Sequence, residues 1–382
     1  MMRIIYRLGC LLTALSLLAS CSTYQFSASS SNNVQTSQPL PAQLPKHIAV
    51  MLPLRGPMGS AGNVIRDGFL ASYYAGTTPA TQPALSFYDT ASGQSVTALY
   101  QKAVADGADF VIGPLTKPEV NALLSLDDFP APVLALNYTN RSIPKNVYLF
   151  GLSPENEAVE LAQHAHDAGL SNALIIAPQN AWGQRVANAL TKQWTSLGGH
   201  VVETLSYTRR ATLTDDIAQL LQIKKPSPED KNQPPLPPEQ RRRQDFDVVF
   251  VLATPVDARQ IVPILKFDYV SHIPIYATSA IYSGIPDPKS DADLDGVYFC
   301  DVPWILQMSS RQPQKSNYNQ FNRLYAVGRD AWLIMTQLNG FTVNPNFSLS
   351  AATGILSLPD GQHFNRHPAW AEFSHGHATQ TR

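Results

Sequence analysis

Short apolar runs alternate with segments of helical periodicity along most of this chain. Ile48-Ala49-Val50-Met51-Leu52, closed by Pro53, has the pattern of a strand buried on both faces. A glycine-spaced turn follows, and then Ile65, Phe69, Ser72 and Tyr73 recur on one helical side. The alternation continues with a strand over Ala84–Tyr88, a helix over Ser95–Ala105, a strand over Asp109–Ile112, a helix ending at Leu124 and a strand over Ala131–Leu136. A second series begins near Tyr148. It predicts helices over Glu155–Ala168, Gly183–Leu197, Leu213–Ile223 and Val256–Phe267, with strands over Ala173–Ala177, Val201–Tyr207, Asp247–Ala253 and Ile273–Ala277. Ser153 is the expected N-cap of the first of these helices. Two α/β series in one chain predict two lobes, each a mostly parallel sheet flanked by helices. Beyond them, Gly296–Phe299 reads as a strand, Tyr318–Leu338 as a long helix in which Gly328 permits close packing or a kink, and Ser348–Leu358 as a hairpin around Thr353-Gly354.

Outside this rhythm, residues 22–46 are rich in Ser, Gln, Asn and Pro and predict a flexible tether. Residues 224–245 are proline-rich and predict a disordered insertion; Arg241, Arg242 and Arg243 at its end are candidate contacts for an anionic partner, beside the plainer reading of a solvated loop. At the start, Arg3 and Arg7 precede an apolar run, Leu11 to Leu18, and Leu18-Ala19-Ser20-Cys21 closes it. This is the layout of a secretory signal, too short to span a bilayer comfortably. Its ending resembles the lipobox of bacterial lipoproteins. The resemblance implies acylation of Cys21, and Ser22 in place of aspartate implies an outer-membrane destination facing the periplasm.

Composition narrows the function. Lysine and arginine number 28 against 29 acidic residues, a net charge of −1, which does not fit an electrostatic nucleic-acid binder. Cys10 lies in the signal and Cys21 at its end, so Cys300 stands alone in the folded body, where a small buried core residue is expected. Gly-x-Ser-x-Gly and His-Glu-x-x-His are absent. Ser142-Ile143-Pro144-Lys145 matches Ser-x-x-Lys literally, but Pro144 disfavours the helical turn that would align serine and lysine. Gly56, Gly59 and Gly62 lack both the dinucleotide spacing and a Walker lysine. His363, His367, His375 and His377 have no metal-site spacing and suggest a solvated tail. No catalytic residue, metal or cofactor is expected.

Several short stretches, in order, resemble a type 1 periplasmic-binding-protein fold: Pro53-Leu54, Gly113-Pro114-Leu115, Thr254-Pro255, Tyr325 to Trp332, Gly340-Phe341 and Thr353 to Ser357. Within that fold the chain resembles the penicillin-binding-protein activator family of outer-membrane lipoproteins, through Ile48 to Leu54, Val133 to Asn137, Leu152 to Ala158, Gly183 to Ala189, and Asn365-Arg366 with Trp370. The resemblance implies a non-catalytic regulator that contacts a class A penicillin-binding protein. Longer members carry an N-terminal helical-repeat domain; here a short tether stands in that place. The implied organisation is a signal over 1–20, a tether over 21–46, lobe 1 over 47–149 plus 278–339, lobe 2 over 150–277 plus 340–375, and a tail over 376–382.

In open α/β sheets ligands bind beyond the carboxyl ends of strands. Ser60, Thr116, Asn137, Ser153, Thr254 and Ser279 are the candidate cleft-lining residues on that rule, and helix caps and turn formers on the plainer one. Whether a small ligand binds there stays open. A lipid-anchored periplasmic solute receptor of the amino-acid-binding type is the alternative function.

Overall fold

The computed structural model describes residues 44–208, 210–223, 241–267, 270, 272–309 and 322–381. The signal, Cys21, most of the tether, residues 224–240 of the insertion and Tyr318–Phe321 of the long predicted helix lie outside the described residues.

The first half runs β1 (His47–Leu52), α1 (Gly59–Gly76), β2 (Ala84–Asp89), α2 (Val96–Ala105), β3 (Phe110–Ile112), α3 (Lys117–Leu123), β4 (Val133–Ala135) and β5 (Val147–Leu149). These five strands form a parallel sheet in the order β2-β1-β3-β4-β5. The continuous apolar run of β1 has the expected cause. Ile48, Val50 and Leu52 enter a core with α1, while Ala49 and Met51 enter a second core on the other face with α2 and α3.

The second half runs α4 (Pro154–Asp167), β6 (Asn172–Pro178), α5 (Ala181–Ser196), β7 (His200–Tyr207), α6 (Leu213–Leu220), β8 (Val248–Val251), α7 (Pro255–Phe267), β9 (Ile275–Ala277), the single turn α8 (Pro288–Asp291), β10 (Val297–Asp301) and α9 (Pro303–Ser309). Then come α10 (Asn322–Val343), β11 (Ser348–Ser350), β12 (Ile355–Ser357), β13 (Asn365–His367), β14 (Ala369–Ser374) and β15 (His377–Gln380). The second sheet has the order β15-β14-β10-β9-β8-β6-β7, parallel except for β14 and β15. β11, β12 and β13 make a small antiparallel sheet, which includes the expected hairpin.

Three sequence expectations need correction. Residues 278–309, placed with lobe 1, belong to the second sheet through β10. Residues 340–367, placed with lobe 2, pack on the first core through Phe341, Leu356, Leu358 and Phe364. An apolar strand or helix fits either lobe on pattern alone; strand pairing decides. The expected tail is the edge strand β15, whose backbone pairs with β14. The chain therefore passes between the halves after β5, after β10 and after β13.

The long helix α10 lies against α1, with Phe69, Tyr73 and Trp332 making edge-on aromatic contacts at the crossing. In the second half, His164 of α4 stacks on Trp370 of β14 with ring centroids 3.7 Å apart. Burial holds its pKa below the usual 6.5, against the opposing pull of Asp167 and Glu160. A depressed folded pKa favours the neutral ring. The stability it confers is complete above the unfolded value of about 6.5 and is lost as pH falls through the folded value. Urea midpoints measured below about pH 6.5 should therefore fall less steeply for His164→Phe than for the unmodified chain. An identical slope would mean that the ring does not titrate against its stack.

Candidate functional site

Four of the six cleft candidates are engaged by near neighbours, and a fifth is held across the seam between the halves. Thr116 and Glu119 form a reciprocal capping box at the start of α3, with the Thr116 hydroxyl donating to Glu119 at 2.8 Å. Asn137 donates to the Leu115 carbonyl at 3.0 Å and accepts from the Tyr138 amide at 2.9 Å. Ser153 caps α4 as expected, accepting from the Asn156 amide and donating to Glu155. Thr254 donates to Asp257 in the first turn of α7. Ser279 is drawn into the seam described below. Ser60 is exposed in the first turn of α1. Thr116 and Asn137 border a hollow of roughly 410 Å³ whose other walls are mainly apolar, including Met58, Leu115, Leu136, Leu324 and Val327.

The arginine candidates turn inward instead of outward. Arg243 makes two bonds to Asp245 at 2.7 and 2.9 Å, pairs with Glu203, and donates to the Leu220 carbonyl; its side chain is 8% exposed and its pKa is raised, chiefly by Asp245. Arg242 is buried over the Phe246 ring. Arg242 and Arg243 are thus packed against the second half, while Gln244 and Asp245 stay exposed, and neither of these two guanidiniums is presented to a partner. Arg241 is half-buried beside them.

What the sequence did not announce is a run of buried ionic groups between the two halves. Glu157, in the first turns of α4, accepts from Arg366 of β13 at 2.9 Å through one oxygen. Its other oxygen accepts from the Ser279 amide at 3.1 Å and the Ser279 hydroxyl at 2.8 Å. Arg366 also donates to the Thr353 carbonyl, and the Thr353 and Ala352 amides donate to Asp330 of α10 at 2.7 and 2.9 Å. On the other side, the Ser279 and Tyr282 carbonyls accept from Arg323 at the start of α10, which forks onto Asp301 at the end of β10 at 2.7 and 2.5 Å. Asp330, Thr353, Arg366, Glu157, Ser279, Arg323 and Asp301 therefore form one connected hydrogen-bonded run. Burial pushes the Asp301 carboxyl upward while Arg323 holds it back, and burial likewise raises Asp330 against its backbone donors. Tyr138 adds a further tie, donating to the Phe364 carbonyl at 2.6 Å, its pKa pushed by burial up to about 12. Buried charges persist only when paired and hydrogen-bonded. This arrangement offers no free nucleophile or base; it fixes geometry.

The remaining sequence candidates fall apart in space. Ser142 and Lys145 sit in an irregular segment whose Ile143 and Pro144 carbonyls accept from Gln362. His363 pairs with Asp360 and His367 with Glu160, while His375 occupies the β14–β15 turn and His377 lies in β15. Among the described residues no group of three His, Cys, Asp or Glu side chains could hold a metal ion. Cys300 is fully buried, and burial raises its thiol pKa well above the ordinary value, so it is an inert core residue. No helix among the described residues is long and apolar enough to cross a membrane.

A family profile described as "LppC putative lipoprotein" matches residues 30–376. The chain belongs to the LppC lipoprotein family. Penicillin-binding protein activator LpoA of Photobacterium profundum is 30% identical over 348 residues, covering 86% of this chain and 56% of the relative. This LppC-family chain thus spans about half the length of the curated relatives it matches. The solved C-domain of LpoA from Haemophilus influenzae, named a regulator of PBP1A, superposes with a TM-score of 0.71 at 28% identity, covering 88% of this chain and 100% of that domain. A structure from Chromobacterium violaceum, described as "a putative branched-chain amino acid ABC transporter", superposes at 0.65 with 28% identity over 86% of this chain and 99% of its own. The expected two-lobed type 1 periplasmic-binding-protein-like fold is thereby borne out, as is the family resemblance.

Proposed function

We propose that this LppC-family chain is a non-catalytic outer-membrane lipoprotein, anchored through acylated Cys21, that activates a class A penicillin-binding protein by direct contact from the periplasmic side. The observation that carries this reading is the match to a complete solved C-domain whose name makes it a regulator of PBP1A, at 28% identity over 88% of the chain. The geometry supports it. The polar groups at the strand ends are engaged in caps and turns, and the seam couples the halves through buried ion pairs, as suits a rigid surface presented to a partner. Activation follows if that surface binds the synthase state with the lower barrier more tightly.

The purified chain added to a class A penicillin-binding protein should raise its glycan-polymerising or cross-linking rate and be retained with it in a pull-down. In cells, Cys21→Ser should remove the protein from the outer-membrane fraction. An unchanged rate together with no retention would overturn the activator reading.

The solute-receptor reading is favoured by one observation, the likeness to the Chromobacterium violaceum structure. It would place a solute in the hollow beside Thr116 and Asn137. Saturable shifts of the Leu115, Leu136 and Val327 methyl resonances with branched-chain amino acids would favour it.

A further inference from the structure

Three helix faces and a loop converge on a second hollow, away from the strand ends. Ser72, Ala75 and Gly76 come from the last turns of α1, Pro303 and Trp304 from α9, and Arg329, Trp332 and Leu333 from α10. The spacing on α10 is i, i+3, i+4, which puts these side chains on one face. Residues 350–352 close the rim around a volume of roughly 470 Å³, within the range of small-molecule sites. Ser60 and Ser72–Gly76 stand at opposite ends of α1, so this hollow is about 20 Å from the cleft edge at 1.5 Å per residue.

Two groups here are underused. Arg329 makes no ion pair among the described residues. Its guanidinium stands 4.7 Å over the Trp304 ring and reaches the Ser72 hydroxyl only at 3.5 Å. Trp304 is in turn stacked on Tyr325. Trp332 is 6% exposed and lines the hollow, and its indole N–H makes no hydrogen bond to a described residue. That nitrogen lies against Gly76, where an added Cβ would come within 2.9 Å of it. Asp330 also borders the hollow, but both its oxygens are taken by the Ala352 and Thr353 amides.

We infer that this hollow is a binding site for a monocarboxylate with an apolar or aromatic body, such as the C-terminal residue of a peptide. Arg329 would fork onto the carboxylate, the Trp332 N–H and the Ser72 hydroxyl would supply further donors, and Trp304, Ala75, Pro303 and Leu333 would cover the body. A single guanidinium beside the engaged Asp330 suits one negative charge; a phosphate dianion would call for more positive charge than the described residues supply. Nothing in this assignment depends on the synthase reading.

The test uses the indole region of ¹⁵N–¹H spectra of the full chain, which holds five tryptophans. N-acetylphenylalanine should shift the Trp304 and Trp332 signals saturably and leave Trp182, Trp194 and Trp370 in place. N-acetylphenylalaninamide should bind at least about tenfold more weakly. Arg329→Gln should cause the same loss, Arg329→Lys a partial one. Ala75→Glu, at an exposed helix position, should also block binding by placing a like charge at the rim. Tighter binding of Gly-Gly-Gly-Phe than of N-acetylphenylalanine would assign the site to peptide C-termini, and the reverse to small free acids; either result sustains it. Equal titration by acid and amide, no effect of either Arg329→Gln or Ala75→Glu, or no tryptophan shift up to about 50 mM would overturn the proposal.

Discussion

Arg366→Ala is expected to cost about 3–5 kcal/mol of folding stability, read from the urea midpoint. The reason lies in what the substitution leaves behind. Glu157 is 5% exposed and Arg366 4%, so water cannot replace the lost guanidinium. Glu157 keeps only its two bonds from Ser279, and the Thr353 carbonyl loses a donor. Against a total stability of about 5–15 kcal/mol, this is a large share. Pairing Arg366→Met with Glu157→Gln should recover a good part of the loss, because the stranded charge is then gone. The pair also joins α4 in one half to β13 in the other. Spin labels on exposed Gln101 and Asn188 should therefore show a broader distance distribution in Arg366→Ala than in the unmodified protein. A loss below about 1 kcal/mol with an unchanged distribution would mean that the seam does not hold the halves. If rigidity underlies activation, the same variant should stimulate a class A penicillin-binding protein less at a temperature where it remains folded.

Gly328→Ala is expected to destabilise by about 2 kcal/mol or more, at or above the upper part of the range for overpacked cores. In an unconstrained helix this change would stabilise by about 0.5–1 kcal/mol, so the sign of the result is itself the test. α1 and α10 cross with backbones in contact. A Cβ on Gly328 would lie 2.0 Å from the Ile65 carbonyl oxygen, and one on Gly68 would lie 2.1 Å from that of Tyr325. Both obstacles are backbone, which cannot rotate aside as a side chain would. The helices must separate, loosening the Phe69–Trp332 and Tyr73–Trp332 contacts. Gly68→Ala should behave alike. The double variant should cost less than the sum, since a pair of helices already parted by one methyl accommodates the second. Thermal unfolding of the four proteins measures this directly; a stabilised Gly328→Ala would show that the crossing is loose.

Much of this was legible in the residues. The run from Ile48 to Leu52 reads as a strand buried on both faces because no position in it tolerates water, and the Ser153 cap follows from a short side chain that reaches the amide three residues on. Gly328 stood out as a glycine inside a helical pattern, and it marks the crossing. The strand β14 carried a signal that the histidines obscured: Ala371 and Phe373 are fully buried while Trp370 and Glu372 are only partly so, the period-two alternation of a strand. β15 had no such signal, since it is held by backbone pairing to β14. Arg242 and Arg243 looked like a solvated charge run because sequence does not show that Phe246, Glu203 and Asp245 surround them.

The sequence alone determined the alternation of helices and strands from β1 through β9, the family, and the caps, because each of those rests on neighbours a few residues apart or on a pattern repeated along the chain. Only the tertiary structure decided which lobe receives β10 and β13, which polar residues are occupied, and where buried charges meet. Glu157 and Arg366 are 209 positions apart. No local periodicity encodes such a pairing; it exists because the chain returns to the same seam and buries the two opposite charges side by side there.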